Sequence, residues 1–128
     1  MADFGDRVNM MFAHGSFLKH DIPVSGTTDN PAGLLNPLLG IQTMVTRRSN
    51  EGEVLGPEQR ISAEEALKVY TLGSAYSCFE EDQKGSIAPR KFADFTVLSD
   101  DLTSVEPTKI SDISVEKTFV EGECVYNS

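Results

Sequence analysis

One short apolar run, Ile22-Pro23-Val24 within IPVSGTTDNP (22–31), is the only strand signal in the first two-thirds of this chain. A strand cannot stand alone, because its backbone N–H and C=O groups need partners. The run passes through Ser25 and Gly26 to a single carboxylate, Asp29, set among small residues and followed by Pro31. Such a pattern predicts a buried parallel strand that delivers a carboxylate to its C-terminal edge, the edge that carries chemistry in α/β barrels. A loop aspartate bonded to its own backbone is the other reading of Asp29.

Helical signals surround that run. Asp6 to His20 reads as one helix leading into the strand, with Asp6 as N-cap and Val8, Met11, Phe12 and Leu18 on one face. Thr27 to Asn36 reads as a loop. Asn36-Pro37 then reads as a helix start, Asn at the N-cap and Pro in the first turn. Leu38, Ile41 and Val45 continue it, and Arg47-Arg48 lie at its end, where cations suit the dipole. Ser49 to Arg60 is a polar loop. Ser62-Ala-Glu-Glu65 is a capping box opening a helix through Ala66, Val69, Tyr70, Gly73, Tyr76 and Phe79. After the hydrophilic turn at Glu80–Ser86 the pattern changes. Ala93–Leu98, Val115–Val120 and Glu123–Tyr126 read as strands, the last two joined at Glu121-Gly122. The switch puts a boundary near residues 80–86.

Charge and cysteine use narrow the function classes. With 20 acidic against 11 basic residues the chain carries a formal net charge of −9. Such a surface repels phosphate backbones and anionic membranes, so neither nucleic acid nor membrane is an expected partner. No apolar run approaches the ~20 residues of a membrane span. The N-terminus has no basic segment before its apolar patch, unlike a signal peptide. Cys78 and Cys124 form no CxxC and read as two buried, reduced thiols, which fits a cytoplasmic protein. Hydrophobic residues make up 39% and there is no Trp. That modest supply suggests that a further chain covers part of the surface.

Little else could complete a site around Asp29. His14 and His20, the two histidines, are six residues apart and would face different sides of a helix, so they do not chelate one metal together. A full metal site needs three or four converging ligands. Gly26-Thr-Thr-Asp lacks the lysine of a phosphate loop. Glu64-Glu65 and Glu80-Glu81-Asp82 read as solvated acids.

Five blocks together carry a family resemblance: IPVSGTTDNP (22–31), NPLLGIQTMVTRR (36–48), GPEQRISAEEALKVYT (56–71), KGSIAPRKFADFTVLSDD (84–101) and VEKTFVEGECVY (115–126). In this order and spacing they resemble the C-terminal portion of the amidohydrolase superfamily, nearest its amidohydrolase-3 (YtcJ-like) branch of metal-dependent hydrolases. The resemblance implies an α/β fragment: the last strand and closing helices of a TIM-like barrel, followed by the C-terminal strands of a small β-sandwich. Residues 1–83 would be the barrel share and 84–128 the sandwich share. Asp29 would be a metal ligand and a proton shuttle, the one catalytic and metal-binding residue implied within this chain. Three positions depart from the family pattern. Thr28 precedes Asp29 in place of serine, Lys19-His20-Asp21 replaces a glycine turn, and Arg90 stands where glycine is usual. The family's HxH, its bridging ligand and its later histidines have no counterpart here.

The implied activity is hydrolysis of C–N bonds, amide or cyclic amide, on a small-molecule substrate, with a divalent metal, zinc, in the complete enzyme. By itself the chain is expected to be inactive and to hold no metal tightly. The alternative is a non-catalytic module that self-associates, or one that pairs with a complementing chain, through surfaces a barrel would cover.

Overall fold

A computed structural model of the protein describes residues 2–128, with side chains from Phe4 onward. The first segment corrects the expectation of one helix over 6–20. A 3-10 run, Ala2–Met10, stops short of α1, His14–Lys19, and Phe12 between them takes φ 53. A bulky residue in the left-handed region cannot continue a right-handed helix. The first run is itself kinked at Gly5 (φ 51, ψ −142), and Asp6, just after the kink, accepts no capping hydrogen bond among the described residues. Met11 and Phe12 are exposed at 37% and 72%, not turned inward. Asp21 makes the turn after α1 with φ 54, a conformation that aspartate tolerates better than most residues.

The expected strand at Ile22–Gly26 forms no ladder, and Ile22 is 48% exposed. The physical reason is topological. The three strands of the sheet all come from the far end of the chain, so no backbone edge lies beside this segment. Helices hold it instead, as described below.

The helix starts expected at Asn36-Pro37 and at Ser62 both form. α2 is Pro37–Thr46, and Leu38 N–H donates to Asn36 Oδ1 at 3.0 Å. Arg47 ends α2 in the left-handed conformation, φ 56. After a short 3-10 turn, Pro57–Gln59, the capping box opens α3, Ala63–Tyr70. Ser62 N–H donates to Glu65 Oε2 at 2.7 Å, and Glu65 N–H donates to Ser62 Oγ at 3.1 Å. The single helix expected through Phe79 instead breaks at Thr71 (φ −113, ψ −82), and α4 is Leu72–Ser77.

The hydrophilic turn after α4 is closed by Lys91, whose Nζ donates to the carbonyls of Glu81 and Lys84 and to Ser86 Oγ. Arg90, beside it, holds φ 72, so the glycine-like turn forms there without glycine.

β1 (Phe95–Leu98), β2 (Val115–Val120) and β3 (Glu123–Asn127) form an antiparallel sheet in the order β1-β2-β3. Phe95 pairs with Phe119 and their rings stack at 4.5 Å. Val120 pairs with Glu123 across the turn. Glu121 and Gly122 both have positive φ, 51 and 83, the geometry whose twist matches a two-residue hairpin. Both cysteines are exposed, which corrects the expectation of buried thiols: Cys78 caps the end of α4, and Cys124 sits on the outer strand.

The core lies between α2, α3 and the segment joining β1 to β2. Leu38, Ile41 and Met44 meet Ala66 and Val69, and Leu102, Ile110 and Ile113 close the cluster from the C-terminal side. Ile110 sits in the 3-10 turn Pro107–Asp112 and is 1% exposed. Burying a side chain of this kind is worth about 1.5–3 kcal/mol, so the cluster couples the helical part to the sheet.

Candidate functional site

The segment from Val24 to Thr27 is fixed by α3 and α4 rather than by strands, while Ile22 N–H donates to Phe17 C=O of α1 at 2.9 Å. Gly26 N–H donates to Val69 C=O at 3.0 Å. Ser74 Oγ donates to Gly26 C=O at 3.2 Å, and Tyr70 Oη donates to Thr27 C=O at 3.1 Å. Gly73 lets the chain come close: a Cβ there would run into the carbonyl oxygen of Val24. Gly26 does the same for Tyr70, whose ring carbons would stand 2.7–2.9 Å from an added Cβ. At Gly40, inside α2, an added Cβ would collide with the Tyr70 hydroxyl.

Asp29 follows in a tight turn with φ 53. Its N–H donates to Thr27 Oγ1 at 3.1 Å, and its C=O accepts from Gly33 N–H at 2.9 Å. The side chain is exposed. Among the described residues the carboxylate has no hydrogen-bond or ion-pair partner. The backbone-bonded reading of the side chain therefore has no bond to support it.

Beside the turn lies a pocket of about 490 Å³, lined by Phe12, His14, Thr28, Leu39, Arg47 and Tyr70 among others. Burial pushes the His14 imidazole below its usual value, partly offset by the Phe12 carbonyl, and the Arg47 charge adds to the depression. His14 Nδ1 is buried with no hydrogen-bond partner among the described residues. His20 is exposed at the end of α1. The two histidines remain apart, as their spacing predicts.

Arg47 is 7% exposed, and burial lowers its guanidinium against the opposing charge of Glu58. It donates to Leu55 C=O at 2.8 Å, Phe12 C=O at 3.1 Å and Met11 C=O at 2.7 Å. The sequence suggests a cation serving the helix dipole. The structure makes Arg47 a clamp that fastens the 11–12 corner to α2.

A divalent metal needs more than this chain supplies. No three His, Cys, Asp or Glu side chains come together among the described residues. The donor set does not fit a complete metal site, and Asp29 would be one ligand among several. Sequence reasoning singled out Asp29 as a candidate and did not point to Tyr70, Gly26 and Gly40 as the residues around its turn. Gly40, a glycine inside a helical pattern, was the available signal, because such a residue often marks close packing.

A profile of the amidohydrolase family matches residues 3–126. YtcJ of Bacillus subtilis, named as an amidohydrolase, is 36% identical over 124 residues, 94% of this chain and 23% of the relative. The N-substituted formamide deformylase of Arthrobacter pascens is 30% identical over 116 residues, 91% of this chain and 21% of the relative. The solved structure of Escherichia coli guanine deaminase superposes with a TM-score of 0.67 at 24% identity, covering 96% of this chain and 32% of that one. The chain thus spans between a fifth and a quarter of the length of these two curated relatives. With a family profile matching nearly its whole length, the chain belongs to the amidohydrolase family.

Proposed function

We propose that this chain is the C-terminal share of a cytoplasmic, metal-dependent hydrolase acting on C–N bonds, amide or cyclic amide, of a small-molecule substrate. Residues 1–83 belong to its barrel and 84–128 to a composite β-sandwich. Ile22–Gly26, which pairs with no strand of this chain, would be the last barrel strand only beside the strands of the rest of the barrel, and Asp29 is both a metal ligand and the base that moves a proton. The observation carrying this reading is the exposed, unpartnered carboxylate of Asp29 in a turn fixed to α3, within a chain matched over residues 3–126 by the family profile. A carboxylate so placed can contribute one oxygen to a divalent ion, zinc in this reading, and can accept a proton. The remaining ligands would have to come from chain outside these residues. The isolated chain is accordingly inactive.

The test has two arms. The 128-residue chain with added zinc should not hydrolyse N-substituted formamides or cyclic amides; turnover would overturn the claim of inactivity. In a protein carrying this segment with a complete barrel, Asp29→Asn should lower kcat by at least about 100-fold, the usual scale for a lost proton-transfer group. Unchanged kcat and metal content would remove Asp29 from the site.

A second reading, self-association or pairing with a complementing chain, is favoured by exposed apolar side chains. Phe79 and Ile87 are 89% and 88% exposed, and Leu34 and Leu35 are 66% and 73% exposed. Apolar surface of this kind marks interaction sites when it is contiguous. Light scattering across a concentration series checks it: a monomer at every concentration argues against self-association.

A further inference from the structure

Three residues from three elements converge on the turn that carries Asp29, and their chemistry is complementary. Tyr70, at the end of α3, is half-buried, and burial raises its phenol above the usual value, so the hydroxyl stays protonated and can donate. It donates to Thr27 C=O at 3.1 Å. Two residues on, Asp29 N–H donates to the Thr27 hydroxyl at 3.1 Å. The ring lies where side chains at 26 and 40 would otherwise stand, and both positions are glycine. A single phenol thus reaches from α3, past α2, to the residue on which the Asp29 turn is built.

We propose that Tyr70 is a positioning residue for Asp29, held over the turn by the space that Gly26 and Gly40 leave and acting through the Thr27 carbonyl. The proposal rests on the reading of Asp29 as a working carboxylate only for its functional meaning, since the latch itself is a matter of geometry. Its reach is local. Gly26 N–H is held by Val69 C=O and needs no phenol, so the segment before Thr27 keeps its place when the hydroxyl is lost.

The test is backbone 15N relaxation on the 128-residue chain and its Tyr70→Phe variant, which keeps the ring and removes one oxygen. Order parameters over residues 27–33 should fall toward the flexible range, below about 0.6, while α3 and the sheet stay near about 0.85. A merely structural tyrosine would loosen α3 and the core together with the turn, and that result overturns the proposal. So does a turn that remains as ordered as before.

Gly40→Ala gives an independent arm. Its methyl group collides first with the phenol oxygen, so the variant should loosen 27–33 as Tyr70→Phe does. Adding Tyr70→Phe to it should cause no further loosening and should recover part of the lost thermal stability. Simple additivity of the two substitutions counts against the latch. None of these readouts involves metal or turnover. Asp29→Asn tests the catalytic reading separately and should leave the order of 27–33 intact, because the latch grips Thr27 and not the carboxylate.

Discussion

The segment Ile22–Gly26 and the hairpin β2–β3 both look like strands in the sequence, and the molecule treats them differently. The hairpin closes on itself through neighbouring residues. Its turn has two positive φ angles, and the ladder runs from Val120–Glu123 to Lys117–Asn127. The turn is also tied back to the start of β1, with Glu121 N–H on Asp94 Oδ1 at 2.8 Å. The segment at 22–28 has one local tie, Ile22 N–H on Phe17 C=O at 2.9 Å. Its other fixed points are Val69, Tyr70, Gly73 and Ser74, more than forty residues away in sequence. Alternation and turn chemistry carry the information for a hairpin, whereas a segment held by helices depends on where those helices pack.

The contrast is sharpest if both regions hang on one core. Ile110 joins the sheet side to α2 and α3, so Ile110→Ala should cost about 2–5 kcal/mol. A thermal melt followed by both far-ultraviolet dichroism and aromatic signals should show one transition at a lower midpoint. Two separated transitions would mean that the halves do not share this core.

Two glycine-to-alanine substitutions then set the regions against each other. Gly73→Ala drives a methyl group into the Val24 carbonyl, a backbone atom that cannot simply rotate away. A loss of about 1–3 kcal/mol is expected, as for other overpacked sites. Hydrogen exchange should quicken at Gly26 and not in the hairpin. Gly122→Ala meets only Ala93 Cβ at 3.7 Å, so space is not its difficulty; φ 83 is. It should cost about 1–2 kcal/mol and quicken exchange in β2 and β3 alone. Equal spreading of either effect over both regions would break the comparison.

The smallest effect concerns pH at the start of α3, the helix that holds the 22–28 segment. Hydrogen bonds from Ser62 N–H and Oγ hold the Glu65 carboxyl below its ordinary value of 4.5. A group whose value is depressed by folding stabilises the fold above its unfolded value and loses that contribution as pH falls through the folded one. Acid titration followed by dichroism should therefore show α3 weakening below about pH 4.5. Glu65→Gln should flatten that part of the curve while leaving the hairpin's exchange unchanged. An identical acid profile in the variant would deny the capping box this role.

Much of this was legible from residues alone. Asn36-Pro37, Ser62 through Glu65 and Glu121-Gly122 each predict a structure within four residues, and all three form. The helix drawn over 6–20 failed at Phe12, because periodicity does not report a single left-handed residue. The helix drawn through Phe79 failed at Thr71 for a related reason, a local break inside a continuous apolar pattern. The strand at Ile22–Gly26 failed because an apolar run is local and ladder pairing is not. Asp29 stands out by its setting among small residues after an apolar run, but nothing near it in sequence names Tyr70.

The sequence by itself determined the caps, the hairpin, the family and the single carboxylate, since each depends on residues close together or on blocks in a fixed order. Only the tertiary structure decided what holds Asp29. The packing of α3 and α4 set the Gly26, Thr27 and Tyr70 contacts, and the packing of α2 brought Gly40 against the same phenol. Those contacts span up to forty-eight residues, and distances of that kind are fixed by how buried faces meet rather than by any local preference.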